Sequence, residues 1–155
     1  MKFKFLTLFL FVFTVPVQAS AKISYLDCEV NLPDSFTTTR DGESVSLVGA
    51  YYQSVRVLDP NDDFFKSELV IRDEFIKEGF HYQLSEVPQN GSDKAYYMPI
   101  VILLKSQEAL TLINPKETLF TNQFAECLGH SLTQSIVVSL KNYEQAWKIE
   151  NNRSK

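Results

Sequence analysis

Alternating apolar and polar positions run through the first two thirds of the chain. The longest alternation covers residues 44–58 and is rich in β-branched and aromatic side chains, which predicts one long strand with a bulge at Gly49. One face of this strand is predicted to carry Val45, Leu47, Tyr51, Val55 and Val57. Further strands are predicted at residues 22–32, 69–76, 80–84, 96–104 and 110–113.

After these strands the spacing of apolar residues changes to three and four, which is typical of helices. Asn114 is predicted to cap a first helix that ends at Gly129. A capping box at residues 131–134 begins a second helix, whose apolar positions continue to Trp147. Residues 135–140 include a β-branched run that would also suit a strand, but the helical spacing of the surrounding residues favours helix.

Strands followed by helices are typical of an α+β domain. We expect a mostly antiparallel sheet of five to six strands with the C-terminal helices packed on one face. The reason is that the apolar stripe between Phe120 and Trp147 needs a surface against which to bury. Residues 22–150 are expected to form this single domain, followed by a polar C-terminal tail at residues 151–155.

The N-terminus has the three parts of a bacterial signal peptide. Two lysines precede an apolar run at residues 5–17, which is shorter than the ~20 residues that a spanning helix needs. Ala19 and Ala21 follow with the small-residue spacing that a signal peptidase recognises. We predict removal of residues 1–21, with cleavage after Ala19 as the second choice. The protein is then expected in the periplasm or outside the cell, with no stable membrane insertion after cleavage.

Two cysteines, Cys28 and Cys127, remain after cleavage. An even number of cysteines in an exported chain favours a disulfide. This bond would join the first predicted strand to the first helix and close a loop of about 100 residues. The alternative, a catalytic thiol, would need a neighbouring base and an electropositive surrounding.

The charge of the chain argues against nucleic acid as a partner. The sequence has 15 basic and 19 acidic side chains, for a formal net charge of −4, and removing Lys2 and Lys4 changes it to −6. No cluster of basic residues offers the positive face that phosphate binding requires. A mildly acidic surface suits a basic protein partner instead.

The polar residues show no catalytic or metal-binding motif. His81 and His130 stand far from other metal ligands in the sequence. The acidic turn at residues 59–63 lacks the glycine and the glutamate of a calcium loop, since its sixth and twelfth positions are Phe64 and Val70. There is no G-x-S-x-G motif and no glycine-rich phosphate loop. We therefore predict no metal, no cofactor and no enzymatic activity.

Two pairs of neighbouring tyrosines, Tyr51-Tyr52 and Tyr96-Tyr97, are the candidate binding residues. Neighbours on a strand point to opposite faces, so each pair places one ring on either side of the sheet. We expect Tyr52 and one of Tyr96 or Tyr97 on the face opposite the helices, where tyrosine suits a protein interface. The alternative is ordinary packing of these rings within the sheet.

Together these features predict an exported, non-enzymatic protein-binding module of the periplasm, of the inhibitor, toxin-immunity or secretion and pilus accessory type. Its partner is expected to be another exported or periplasmic protein. The first alternative is a sensor partner or carrier that holds a lipid or bile-type ligand in an apolar cleft between sheet and helices. A small hydrolase is the third hypothesis. The sequence leaves the oligomeric state open.

Overall fold

The computed structural model describes residues 20–48, 51–88 and 97–152. The strands are β1 (Lys22–Tyr25), β2 (Cys28–Asn31), β3 (Phe36–Thr38), β4 (Ser44–Val48), β5 (Tyr51–Leu58), β6 (Val70–Lys77), β7 (Phe80–Glu86), β8 (Ile100–Lys105) and β9 (Glu108–Ile113). The helices are a 3₁₀ turn (Asp63–Lys66), a π-helical turn (Leu119–Gln123), α1 (Ala125–Leu128) and α2 (His130–Asn152). The described residues are 41% strand and 31% helix, which confirms the predicted α+β class.

Seven strands form one antiparallel sheet in the order β3-β4-β5-β9-β8-β7-β6, and β1 pairs with β2 in a separate hairpin. The prediction of a mostly antiparallel sheet is confirmed, but the described residues contain more strands than the five or six expected. Two stretches that were predicted as single strands each form two paired strands. In addition, β3 has only three residues, too few to give an alternating pattern.

The prediction of one long strand at residues 44–58 is wrong. β4 and β5 are paired antiparallel, with Leu47 opposite Tyr52. The connection between them, which includes the predicted bulge at Gly49, lies outside the described residues. Directly paired residues share a face of the sheet, so Val45 and Leu47 lie on the same face as Tyr52. The rest of the predicted apolar face, Tyr51, Val55 and Val57, lies on the opposite side. Two residues separate β4 from β5, so the alternation of apolar and polar residues continues in the sequence. Odd-numbered residues of β4 nevertheless lie on the opposite face of the sheet from odd-numbered residues of β5.

The predicted strand at residues 22–32 is also a hairpin, because the chain turns at Leu26 between β1 and β2. Leu26 has a positive φ of 54°, and its N–H donates to the Glu108 carboxylate at 2.8 Å. The Tyr25 hydroxyl donates to the carbonyl of Leu103 at 2.8 Å. These two hydrogen bonds hold the hairpin against the sheet, on the side that the helices cover.

The core lies between the sheet and the C-terminal helices. Leu84, Leu103 and Leu112 point from three neighbouring strands into this core and are fully buried. From the helical side they meet a stripe of apolar residues that consists of Leu119, Phe120, Phe124, Leu128, Leu132, Ile136 and Leu140. The packing of the helices on one face of the sheet is therefore as predicted.

The helical region differs from the prediction at its beginning. Asn114 does not begin a helix: it has a positive φ of 51°, and its amide donates to the carbonyl of Tyr52 at 2.9 Å. A π-helical turn and the short α1 replace the first predicted helix, and Gly129 separates α1 from α2 with a φ of 88°. α2 runs without a break through residues 135–140, which confirms helix there, and includes the first two residues of the predicted tail. Of the helices described, none is long and apolar enough to span a membrane.

Candidate functional site

β6 forms one edge of the seven-stranded sheet. Within the described residues it pairs with β7 only. Six of its eight residues are exposed and the other two are partly buried. Ile76 is the most exposed of its apolar side chains, at 79%. An edge strand presents backbone N–H and C=O groups that can pair with another strand, so β6 is a candidate docking element.

A groove separates β6 from α2. Two open cavities of about 350 and 360 Å³ form it, and they are continuous because Asp73, Ser139 and Asn142 line both. On the helix side, every fourth residue of α2 lines the groove: Gln134, Val138, Asn142, Ala146 and Glu150. We call this row of residues the helix wall. This wall extends about 24 Å along the helix axis. We call this surface the β6–α2 groove.

The floor of the groove is a chain of hydrogen bonds between sheet and helix. The hydroxyl of Tyr82 donates to the hydroxyl of Ser139 at 3.0 Å, and Ser139 donates to the carboxylate of Asp73. Burial raises the pKa of the Tyr82 phenol, so this group stays protonated as a donor. The side chain of Asp73 is therefore held in place by a neutral hydroxyl.

A second network lies at the other side of Asp73. The buried carboxylate of Glu86 accepts hydrogen bonds from Arg72 and Tyr143. The hydrogen bond to Glu86 raises the pKa of the Arg72 guanidinium, and burial raises the pKa of the Tyr143 phenol. Arg72 is thus paired with Glu86 and also interacts with Glu150, while Asp73 lines the same cavity. Among the described residues that line this end of the groove, carboxylates outnumber cations.

Tyr97 packs at the C-terminal end of α2. Its ring stacks on Tyr143 with centroids 5.5 Å apart and meets the edge of Trp147 at the same distance. Burial raises its pKa to about 12. Tyr97 therefore lies on the helix side of the sheet and does not join Tyr52, contrary to one of the two placements expected. Tyr96, the other placement, lies outside the described residues.

Tyr51 and Tyr52 lie on opposite faces of the sheet. The Tyr51 hydroxyl donates to the carbonyl of Asn114 at 3.0 Å, and Lys116 places its ammonium 4.9 Å from the ring centre. Tyr52 is 37% exposed on the face away from the helices and donates to Glu43 at 3.1 Å. The structure thus places Tyr51 and Tyr97 on the helix side of the sheet, where Tyr51 is close enough to contribute to the raised pKa of Tyr97, and it separates Tyr52 from both on the opposite face.

The β6–α2 groove was not among the candidate sites in the sequence. The strand itself was predicted, but its position at the edge depends on the order of all seven strands. One local signal was present: Arg72, Asp73 and Glu74 stand in the middle of the strand, and charged residues are typical of edge strands.

Both cysteines and His81 have structural partners. Cys28 and Cys127 form the predicted disulfide, with their Cα atoms 5.8 Å apart. His81 contacts the carboxylate of Glu74 on the sheet face away from the helices. In the part of the chain that the structure describes, no three histidine, cysteine, aspartate or glutamate side chains are grouped as metal ligands.

Comparison of the chain with protein-family models, with curated proteins and with solved structures found no match.

Proposed function

We propose that the protein is an exported, non-enzymatic protein-binding module, and that its partner adds a strand to β6 along the β6–α2 groove. The observation that carries this proposal is an exposed edge strand that lies beside a groove of matching length. β6 has eight residues with a bulge at Arg72, so it spans about 24 Å, close to the length of the helix wall. Strand addition supplies affinity through backbone hydrogen bonds, and the groove supplies selectivity for alternate side chains.

The packing of the core favours this proposal over a carrier of lipids. A carrier of the expected kind needs open apolar space between sheet and helices. Leu110, Phe124 and Leu132 fill that region and are fully buried. The β6–α2 groove lies instead at the surface and has a mixed polar and apolar lining.

The hydrolase hypothesis has weaker support. Ser139 and Asp73 are hydrogen-bonded in the groove, but His81 lies on the opposite face of the sheet. A serine nucleophile needs a base within hydrogen-bonding reach. These three side chains are therefore not arranged for nucleophilic catalysis.

The surroundings of Ala21 favour signal-peptide cleavage after Ala19 over cleavage after Ala21. Ala21 is buried, and its carbonyl accepts a hydrogen bond from the N–H of Leu32 at 2.8 Å. Cleavage after Ala21 would remove this residue and its hydrogen bond. We expect the mature chain to begin at Ser20, which N-terminal sequencing of the periplasmic protein will check. A mature chain that begins at Lys22 contradicts this cleavage site, and an intact N-terminus in the membrane fraction contradicts export.

Binding through the groove can be tested with Val138→Arg. Val138 is 51% exposed, and arginine is a good helix former, so the variant is expected to fold normally. The disulfide-bonded wild type should capture a stoichiometric protein from periplasmic extract of the producing bacterium. Val138→Arg should reduce this capture about tenfold, because a long cationic side chain blocks the groove. Quantitative mass spectrometry measures the amount of partner protein captured by the wild type and by Val138→Arg.

Two control variants separate the possible surfaces. Gln145→Arg adds the same charge at an exposed position of α2 and should not affect capture. Tyr52→Ala tests the face away from the helices and should not affect it either. If Tyr52→Ala abolishes capture and Val138→Arg does not, the partner binds that face and the groove is not the docking site. Copurification of a lipid without any protein would contradict protein binding.

A further inference from the structure

We infer that the strand accepted by the β6–α2 groove carries an aliphatic side chain and, two residues away, a lysine or arginine. This inference rests on the proposed function and specifies the chemistry of the partner. Asp73 and Phe75 are two residues apart on β6, opposite Leu84 and Tyr82, and so share the face toward α2. Side chains two residues apart on an added strand have the same separation, about 6.7 Å.

The Phe75 end of the groove fits an aliphatic side chain. The ring of Phe75 stacks on Tyr82 with centroids 4.4 Å apart, which fixes its position. Val138 lines the same cavity from the helix and is half exposed. A branched aliphatic side chain between Phe75 and Val138 would remove apolar surface of both residues from water.

The Asp73 end fits a cation. Asp73 lines this cavity, and the guanidinium of Arg72, the one that lines it among the described residues, is paired with Glu86 and also interacts with Glu150. A lysine or arginine would place its charge beside the carboxylate of Asp73. Its methylene groups would lie along Ala146 and Trp147, as long cationic side chains do on apolar surface.

The same charges argue against a second copy of this chain as the added strand. Asp73 and Glu74 occupy the centre of β6. In an antiparallel pair of β6 strands related by a two-fold axis at Asp73, the carboxylate of Asp73 would lie opposite its own copy. Like charges in opposing positions destabilise a strand pair. A basic strand from another exported protein removes this repulsion.

The test is a selection from a random seven-residue peptide library displayed on phage, with the disulfide-bonded mature chain as bait. We expect enrichment of lysine or arginine two residues from valine, isoleucine or leucine. Asp73→Asn keeps an oxygen that can accept from Ser139 and removes the charge. It should lower the affinity for an enriched peptide about tenfold and abolish the preference for a cation over glutamine, while the aliphatic preference remains.

Backbone methylation shows whether the selected peptides bind as strands. In an added strand, alternate N–H groups face the protein, so N-methylation of one alternate set should abolish binding and methylation of the other should not. Peptides that follow this pattern without a cation preference contradict the inference but leave strand addition intact. If the Asp73→Asn variant still prefers a cation over glutamine, the inference is likewise contradicted, while strand addition remains intact. A concentration-dependent dimer that Val138→Arg dissociates, measured by analytical ultracentrifugation, would identify a second copy as the occupant and overturn the inference.

Discussion

Replacing both Cys28 and Cys127 with alanine is expected to lower the free energy of unfolding by about 4 kcal/mol. The two residues are 99 positions apart, and the loop-closure model assigns a loop of this length ~4.7 kcal/mol. This is a large share of the ~5–15 kcal/mol that stabilises a typical domain. The bond ties β2 to α1, a helix of only four residues that is too short to be stable alone.

Urea denaturation of the oxidised wild type and the double variant, followed by circular dichroism, measures this difference. The wild type treated with a phosphine reductant is the matched control and should show the same loss as the variant. A change below about 1 kcal/mol would mean that the bond does not restrict the unfolded chain as the model requires. Agreement between variant and reduced protein would exclude an effect of the alanine side chains.

Phe124→Ala is expected to lower the free energy of unfolding by about 3–5 kcal/mol. Phe124 is fully buried, and its ring centre lies 6.0 Å from that of Phe120. Truncation leaves a cavity between the π-helical turn and the sheet, where the surrounding side chains belong to different elements. Asn122→Ala, at an exposed position of the same turn, should change stability by no more than about 0.5 kcal/mol.

Thermal and urea denaturation of both variants provide the comparison. Equal losses for Phe124→Ala and Asn122→Ala would show that this turn does not pack as a buried part of the core. A large loss for Phe124→Ala alone supports the placement of the aromatic stripe against the sheet.

Hydrogen bonds between α2 and β6 indicate that the groove is formed before any partner binds. The ammonium of Lys77 donates to the carbonyl of Ser131 at 3.0 Å and to the hydroxyl of Ser135 at 2.8 Å. Further along, Ser139 bonds to Asp73. These contacts hold helix and strand at a set distance, which reduces the ordering cost of binding.

Several features of the fold could be predicted because they depend on local patterns. The helix through residues 135–140 follows from the spacing of its apolar residues, which overrides the β-preference of a short branched run. The disulfide follows from the number of cysteines and the expected export, and the α+β class from the order of strand and helix patterns. Export, the cleavage site and the kind of partner stay predictions.

The sequence by itself determined the periodicity of each segment, the helical C-terminus and the pairing of Cys28 with Cys127. Only the tertiary structure decided that residues 44–58 form two paired strands, that Tyr97 packs on α2, and that β6 is an edge beside a groove. Periodicity is set by neighbours within a few residues, so one sequence window contains it. The face of a strand and its place in the sheet depend on pairing between distant segments, which no single window contains.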